Sequence, residues 1–365
     1  MPTFDAWRPS RLLARWRGQT PPADASVRPS EFSTDPLAET LRGARGLVLF
    51  DLDKTAIDAN YAPTATGLER LQRAIHTLQT NGVLVGIHSD SPRETITQFG
   101  QLFGAQGPHV YEMGGVYVPA SEAREETDVA LNPAATAYFG RVNARLADSL
   151  RTFGQEHSIR IATDEDRNLD KREGRTYPDA TQGVWLNPYR RHSIGLWAEV
   201  IDPATGRTYF DTRFREGKGV EELAQFDQRQ TTLLTNVDQL VKQALESDPE
   251  AASIGELDYD RNAAYGVIIA KLAALSNKTA PIQLLLGRAG NGFTGQVFMI
   301  GDSPADFIND SRVTTLAVGN ARDELKIQVA EQKRSYSFPT VSDGSFTDGV
   351  AEHLENIARN LGIQA

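Results

Sequence analysis

Asp51 and Asp53 stand one residue apart at the end of an apolar run, Leu47-Val48-Leu49-Phe50. In an extended chain their side chains project to the same side, because side chains alternate with period two. Two carboxylates so placed repel each other unless a cation or a shared proton relieves them. The chemistry this pattern offers is a hard-cation site, or a nucleophile beside an acid. A second apolar run, Val297-Phe298-Met299-Ile300, also ends in acid, with Gly301 allowing a tight turn before Asp302, and Asp306 one turn further on. A third run, Val83 to Ile87, leads into His88-Ser89-Asp90-Ser91-Pro92. A hydroxyl at Ser89 can donate to a phosphate oxygen, Ser91 before Pro92 suits a helix N-cap, and His88 reads as structural. Magnesium commonly takes one or two carboxylates together with water and substrate phosphate, so an edge that collects these oxygens suits it.

These side chains share a site only if their strands share a sheet edge. Leu68, Leu71, Ile75 and Leu78 recur at helical spacing, Asn81-Gly82 closes that helix, and a further helix carries Ile96, Phe99, Leu102 and Phe103. Strand, helix, strand, helix is the pattern of a doubly wound parallel sheet, which binds ligands at the carboxyl ends of its strands. Later segments extend it: a helix over about 263–275, a Gly-rich connection over 287–295 that lacks the P-loop pattern, the acidic strand, a strand near 313–318 and a helix over 351–361. The middle reads differently. His109 to Val118 suggests strand, turn and strand. Phe139, Val142, Leu146, Leu150 and Phe153 mark one helix, and Leu233 to Leu245 another. Gly195 to Phe214 suggests a hairpin turning at 202–206. Lys171, Arg172, Arg175, Arg190 and Arg191 lie in a polar stretch that either grips an anion or is a solvated face.

Composition excludes several classes. The chain of 365 residues carries a formal charge of −10, against general nucleic-acid binding. It has no cysteine, hence no thiolate chemistry or disulfide, and its six histidines include no i, i+4 pair for a helix-borne zinc. No apolar run reaches transmembrane length and no signal-peptide core is present, so the expectation is a soluble, cytoplasmic protein. Residues 1–45 form a separate, partly disordered extension. In it Trp7, Leu12, Leu13 and Trp16 alternate with Arg8, Arg11, Arg15 and Arg17, before a linker over 18–36. That basic segment is either a docking element for an acidic partner or membrane surface, or a short helix packed on its own domain.

Taken together, the motifs resemble those of the haloacid dehalogenase superfamily of phosphohydrolases. Asp51-Leu52-Asp53-Lys54-Thr55 resembles the DxDxT motif, Ser89 the second-motif hydroxyl, and Gly301-Asp302 with Asp306 the acidic GDxxxD motif. Glu112-Met113-Gly114-Gly115, Val318-Gly319-Asn320-Ala321 and Thr347-Asp348-Gly349-Val350 resemble segments of its Cof-like, sugar-phosphatase branch. The resemblance implies an α/β protein: a Rossmann-like doubly wound core over 46–108 and 258–365, with an α+β cap domain inserted over 109–257. It implies a Mg²⁺-dependent phosphatase for a small phosphorylated metabolite, a sugar phosphate above all. Asp51 would be the nucleophile, Asp53 the acid and base, and Asp51, Asp53 (through its carbonyl), Asp302 and Asp306 the metal site. A phosphotransferase or mutase, and a binding module without turnover, are the alternatives.

The family's third motif supplies a lysine at a helix start. Aligning Tyr265-Gly266 with it puts tyrosine in the lysine's place. Arg261 is then the expected phosphate-binding substitute, Lys271 the second choice and Lys218 a more distant one, so that Arg261→Ala should be damaging and Lys271→Ala mild. Two smaller departures are Lys54, where glycine is common, and Ala305, where asparagine often stands.

Overall fold

A computed structural model describes residues 35–58, 61–121, 125–163, 174–211, 213–332 and 338–364. Its central sheet has four parallel strands in the order β12-β11-β1-β2: β1 Gly46–Phe50, β2 Val83–Ile87, β11 Gln296–Gly301 and β12 Val313–Ala317. Every residue of β1 is buried, as the unbroken apolar run requires. Val48 and Phe50 pack on one face with α2 (Gly67–Thr80), α3 (Arg93–Phe103), α7 (Asp323–Glu331) and α8 (Phe346–Asn360). Leu47 and Leu49 pack on the other with α1 (Pro36–Leu41) and α6 (Thr279–Ala289). The chain leaves β1 toward β2 on one side, while β11 continues to β12 on the other, so the order reverses between β1 and β11. Such a reversal is where open α/β sheets open a crevice for ligand. Asp51 and Asp302 stand at that point.

The inserted part is built on a five-stranded sheet in the order β6-β7-β8-β10-β9. These are Arg160–Ala162, Gln182–Leu186, Ser193–Val200, Val267–Leu272 and Leu257–Asn262 respectively. Two long helices, α4 (Pro133–His157) and α5 (Val220–Glu246), bury Phe139, Val142, Leu146, Leu233, Val237 and their neighbours against one face of it. A small antiparallel sheet of β3 (His109–Tyr111), β4 (Gly115–Val118) and β5 (Thr127–Ala130) adjoins β2 through a bridge from His88 to Val110. Its Val110, Val116 and Val118 share the core cluster of Leu47 and Leu49.

Three expectations are corrected here. Residues 263–275 do not form a helix: β9 and β10 make a hairpin that turns at Gly266, whose φ of 60° suits glycine. The β-branched Val267-Ile268-Ile269 is strand-forming, and a short apolar run carries no period that separates helix from strand. The insertion's sheet therefore reaches residue 272, beyond the expected limit of 257, while 109–118 pack with the core. Residues 36–41, expected within the linker and extension, are helix α1, with Leu37 and Leu41 fully buried. The basic segment Trp7 to Arg17, Lys171 and Arg172 lie outside the described residues. Among those described, no helix is long and apolar enough to cross a membrane.

Candidate active site

Parallel pairing delivers the acids. Asp51 N donates to Ile300 O at 2.9 Å, which carries β1 on beside β11 for one residue past Phe50. Ligand oxygens of Asp51, Asp302 and Asp306 all lie within 4.8 Å of one another, and the three residues are buried. Unit charges at that separation repel by roughly 3 kcal/mol per pair at an effective dielectric near 20, more than a domain of marginal stability tolerates uncompensated.

The compensation comes from a residue that the sequence reading passed over. Lys278 Nζ donates to Asp51 Oδ1 and, at 2.5 Å, to Asp306 Oδ1. Lys278 precedes α6, whose first turn is capped by Asn277 Oδ1 accepting from Thr279 N and Ala280 N at 3.0 and 3.1 Å. The helix-start signal was present: Asn277, Pro281 in the first turn, then Ile282, Leu285, Leu286 and Ala289 at helical spacing. It lay behind the helix wrongly assigned to 263–275.

Asp306 is held from both sides. Its Oδ2 accepts from Asp302 N and Ser303 N, both at 2.9 Å, and from Ser303 Oγ at 3.1 Å. Gly301 makes this possible, since a Cβ there would stand 2.2 Å from the Asp306 Cβ. Thr55 Oγ1 lies 3.2 Å from both Asp51 Oδ2 and Asp302 Oδ1, joining the two acidic strands. Asp53 Oδ2 accepts from Ser91 Oγ at 3.4 Å, while Ser89 is buried and its Oγ accepts from Ser91 N at 3.2 Å. The loop after β1 is braced from afar. Asn320 donates to Lys54 O at 2.7 Å and accepts from Phe346 N at 2.7 Å, and Thr347 Oγ1 donates to Ala56 O at 2.7 Å.

Electrostatics follow from burial. It pushes the Asp51 carboxyl up to about 8, with Lys278 opposing and Asp306 and Asp53 adding to the rise. Asp53 is raised by burial against Lys278 and Ser91, and Asp302 by burial and then by Asp306. Burial alone would lower Lys278, but Asp306 and Asp51 outweigh it and keep the ammonium charged. One monovalent cation thus leaves this cluster short of positive charge. Its all-oxygen donor set suits a hard divalent ion, Mg²⁺ among them. The oxygens of Asp306 are already engaged, whereas Asp302 Oδ2 has no partner among the described residues.

The expected substitutes fall elsewhere. Arg261 lies on β9, where its guanidinium donates to Thr235 Oγ1 of α5 at 2.9 Å. Lys218 pairs with Asp202 at 2.8 Å within the inserted part. Lys271 does meet the core, 3.5 Å from Asp90 Oδ2. Arg190, from the polar stretch, donates to Asp90 O at 3.1 Å. Glu112 Oε2 accepts from Arg191 N and His192 N at 3.0 and 2.9 Å, which fastens the segment after β7 to the core.

No protein-family model and no curated protein matches the chain. Solved structures resemble it. One is a haloacid dehalogenase-like hydrolase from Bacteroides thetaiotaomicron, 14% identical over 85% of this chain and 98% of that one, with a TM-score of 0.46. Another is the sucrose-phosphatase of Synechocystis, solved with sucrose and phosphate, 12% identical over 88% of this chain and 100% of that one, with a TM-score of 0.40. A protein related to trehalose-6-phosphate phosphatase is 13% identical over 87% and 99%, with a TM-score of 0.45.

Proposed function

We propose that the protein is a phosphomonoester hydrolase of the haloacid dehalogenase type, acting with Mg²⁺ on a small phosphorylated metabolite, a sugar phosphate in the first place. The observation that carries this reading is the buried ammonium of Lys278 between Asp51 and Asp306, beside Asp302. It supplies the cation that the alignment of Tyr265-Gly266 with the third motif left missing.

In this reading a carboxylate oxygen of Asp51 attacks phosphorus and the ester oxygen departs, leaving an aspartyl-phosphate on Asp51. Asp53, whose raised pKa suits an acid, gives its proton to the departing oxygen. It then takes a proton from the water that attacks the acyl-phosphate, releasing inorganic phosphate and restoring Asp51. Ser89 and Lys278 hold phosphoryl oxygens, since this chemistry rests on positioning and charge. Mg²⁺ would be held by Asp51, Asp302 and the backbone carbonyl of Asp53, and would supply positive charge to the phosphoryl oxygens. Asp306, with its oxygens already accepting, fixes Lys278 and the turn after β11.

The test is phosphate release from a panel of phosphomonoesters with Mg²⁺, with EDTA and with Zn²⁺. Release is expected with Mg²⁺ alone, and metal-independent hydrolysis would contradict the role given to Asp302. A second expectation reverses the sequence-based one. Arg261→Ala should leave kcat/KM within about twofold, because Arg261 is engaged with α5; a tenfold loss in steady-state kinetics would return it to the site.

A further inference from the structure

Lys54 occupies the fourth position of the first motif with φ of 60°, a left-handed conformation that favours glycine. Asn320 holds its carbonyl and is itself tied to Phe346, so the loop cannot relax to suit the lysine. The side chain is exposed and forms no ion pair among the described residues. Its charge nevertheless bears on both Asp53 and Asp302. A charged side chain kept in an unfavourable backbone beside a catalytic acid calls for a function.

A second lysine borders the same acid from the inserted part. On β10, Ile268, Ala270 and Leu272 face the two long helices, which leaves Lys271 on the opposite face, across from Ser193 of β8. Lys271 reaches Asp90 Oδ2 at 3.5 Å. Asp90 lies in the loop whose Ser91 hydroxyl contacts Asp53, and Asp53 marks the side on which the ester oxygen departs. Arg190 is packed too tightly to share this role: it is 6% exposed, and a Cβ on Gly195 would stand 2.9 Å from its guanidinium carbon.

We propose that the leaving group is itself anionic, carrying a carboxylate or a second phosphate, and that Lys54 from the core and Lys271 from the inserted sheet grip it. This rests on the phosphatase reading, because it takes Asp53 as the leaving-group acid. In the absence of substrate, Asp90 holds Lys271, and the substrate's anion takes over that contact. The preferred compounds are phosphorylated sugar acids, phosphorylated hydroxy acids and sugar bisphosphates, ahead of monophosphates of neutral sugars.

The test compares 3-phosphoglycerate with glycerol 3-phosphate, which differ by a carboxylate in place of a hydroxymethyl group. Calorimetric titration at fixed free Mg²⁺ uses Asp51→Asn, which retains ligand without turnover. Tighter binding of 3-phosphoglycerate by about tenfold is expected, with the ratio falling toward one when Lys54→Gly or Lys271→Met is added. Lys54→Gly should at the same time keep or raise the thermal unfolding midpoint, because it relieves the left-handed backbone; a purely structural lysine would lower it and leave the ratio alone. Equal affinities, no detectable binding of either compound, or a ratio that survives both substitutions overturns the inference, and a ratio that responds to one lysine removes the other. Phosphate release by the unsubstituted protein judges the parent reading separately. Release without anion preference defeats this inference alone, and anion preference without release from any ester defeats the phosphatase reading.

Discussion

Asp51→Asn is expected to lower phosphate release at least about a thousandfold, since the amide cannot attack phosphorus and no second carboxylate stands in its place. The fold should survive the change. Asn is nearly isosteric with Asp, Lys278 keeps Asp306 as partner, and one of three crowded acids is replaced by an amide. The pH dependence of stability separates loss of chemistry from loss of structure. In the metal-free protein, burial raises Asp51 from 3.8 to about 8, so between those values the folded state holds a proton that the unfolded state has released. Stability contributed by this group is therefore present below pH 4 and declines as pH rises toward 8. Asp51→Asn lacks that decline. Urea unfolding in EDTA at pH 5 and pH 8 should show the variant gaining on the unsubstituted protein at the higher pH. An inactive variant that is destabilised equally at both would point to a packing defect instead. Retention of most activity would remove Asp51 as nucleophile.

The sequence carried the acidic half of this site because strand ends announce themselves. Asp51, Ser89 and Asp302 each follow a short β-rich apolar run, and alternation alone places such residues at one edge once the strands are parallel. The order of those strands, and hence the meeting of Asp51 with Asp302 at the reversal between β1 and β11, matches what a doubly wound sheet requires. Lys278 was not legible by the same reasoning. It sits in no apolar run, and its place depends on where the inserted part ends. Reading 263–275 as helix moved that end forward and left Lys278 in a stretch with no assigned element, before the Gly-rich connection over 287–295. The strand assignment rests on pairing with β8 and β9, whose partners are distant in sequence or hidden in a polar segment. Nor do local patterns reveal that Asn320 and Thr347 brace the loop after β1, since those bonds span 266 and 291 residues. The motifs that contain them were visible as patterns, and the structure gives them their physical task.

Removing Lys278 should be as damaging as removing the nucleophile, for a different reason. Lys278→Met keeps the length and apolar stem of the side chain but deletes the ammonium that Asp51 and Asp306 share. Breaking a buried ion pair by deleting one member leaves an uncompensated charge and costs about 3–5 kcal/mol, whereas an exposed pair is worth 1 kcal/mol or less. Lys278 is 5% exposed and Asp306 1%, so the larger figure applies. The loss should be greatest in EDTA, where Lys278 is the counter-ion of the cluster. Adding Mg²⁺ should restore part of it by supplying charge to the same cluster. Turnover should fall by about a hundredfold or more even where the variant is folded, because the phosphoryl group then meets Asp51, Asp53 and Asp302 with one fewer cation. Lys278→Met combined with Asp306→Asn tells the two effects apart. The double variant no longer buries the unpaired Asp306 charge, so its stability should recover toward that of the unsubstituted protein while its kcat stays low. Recovery of both would make Lys278 a structural counter-ion only. Near-normal kcat in the single variant would require another cation at the phosphate, and Lys54 is the residue positioned to be tried next.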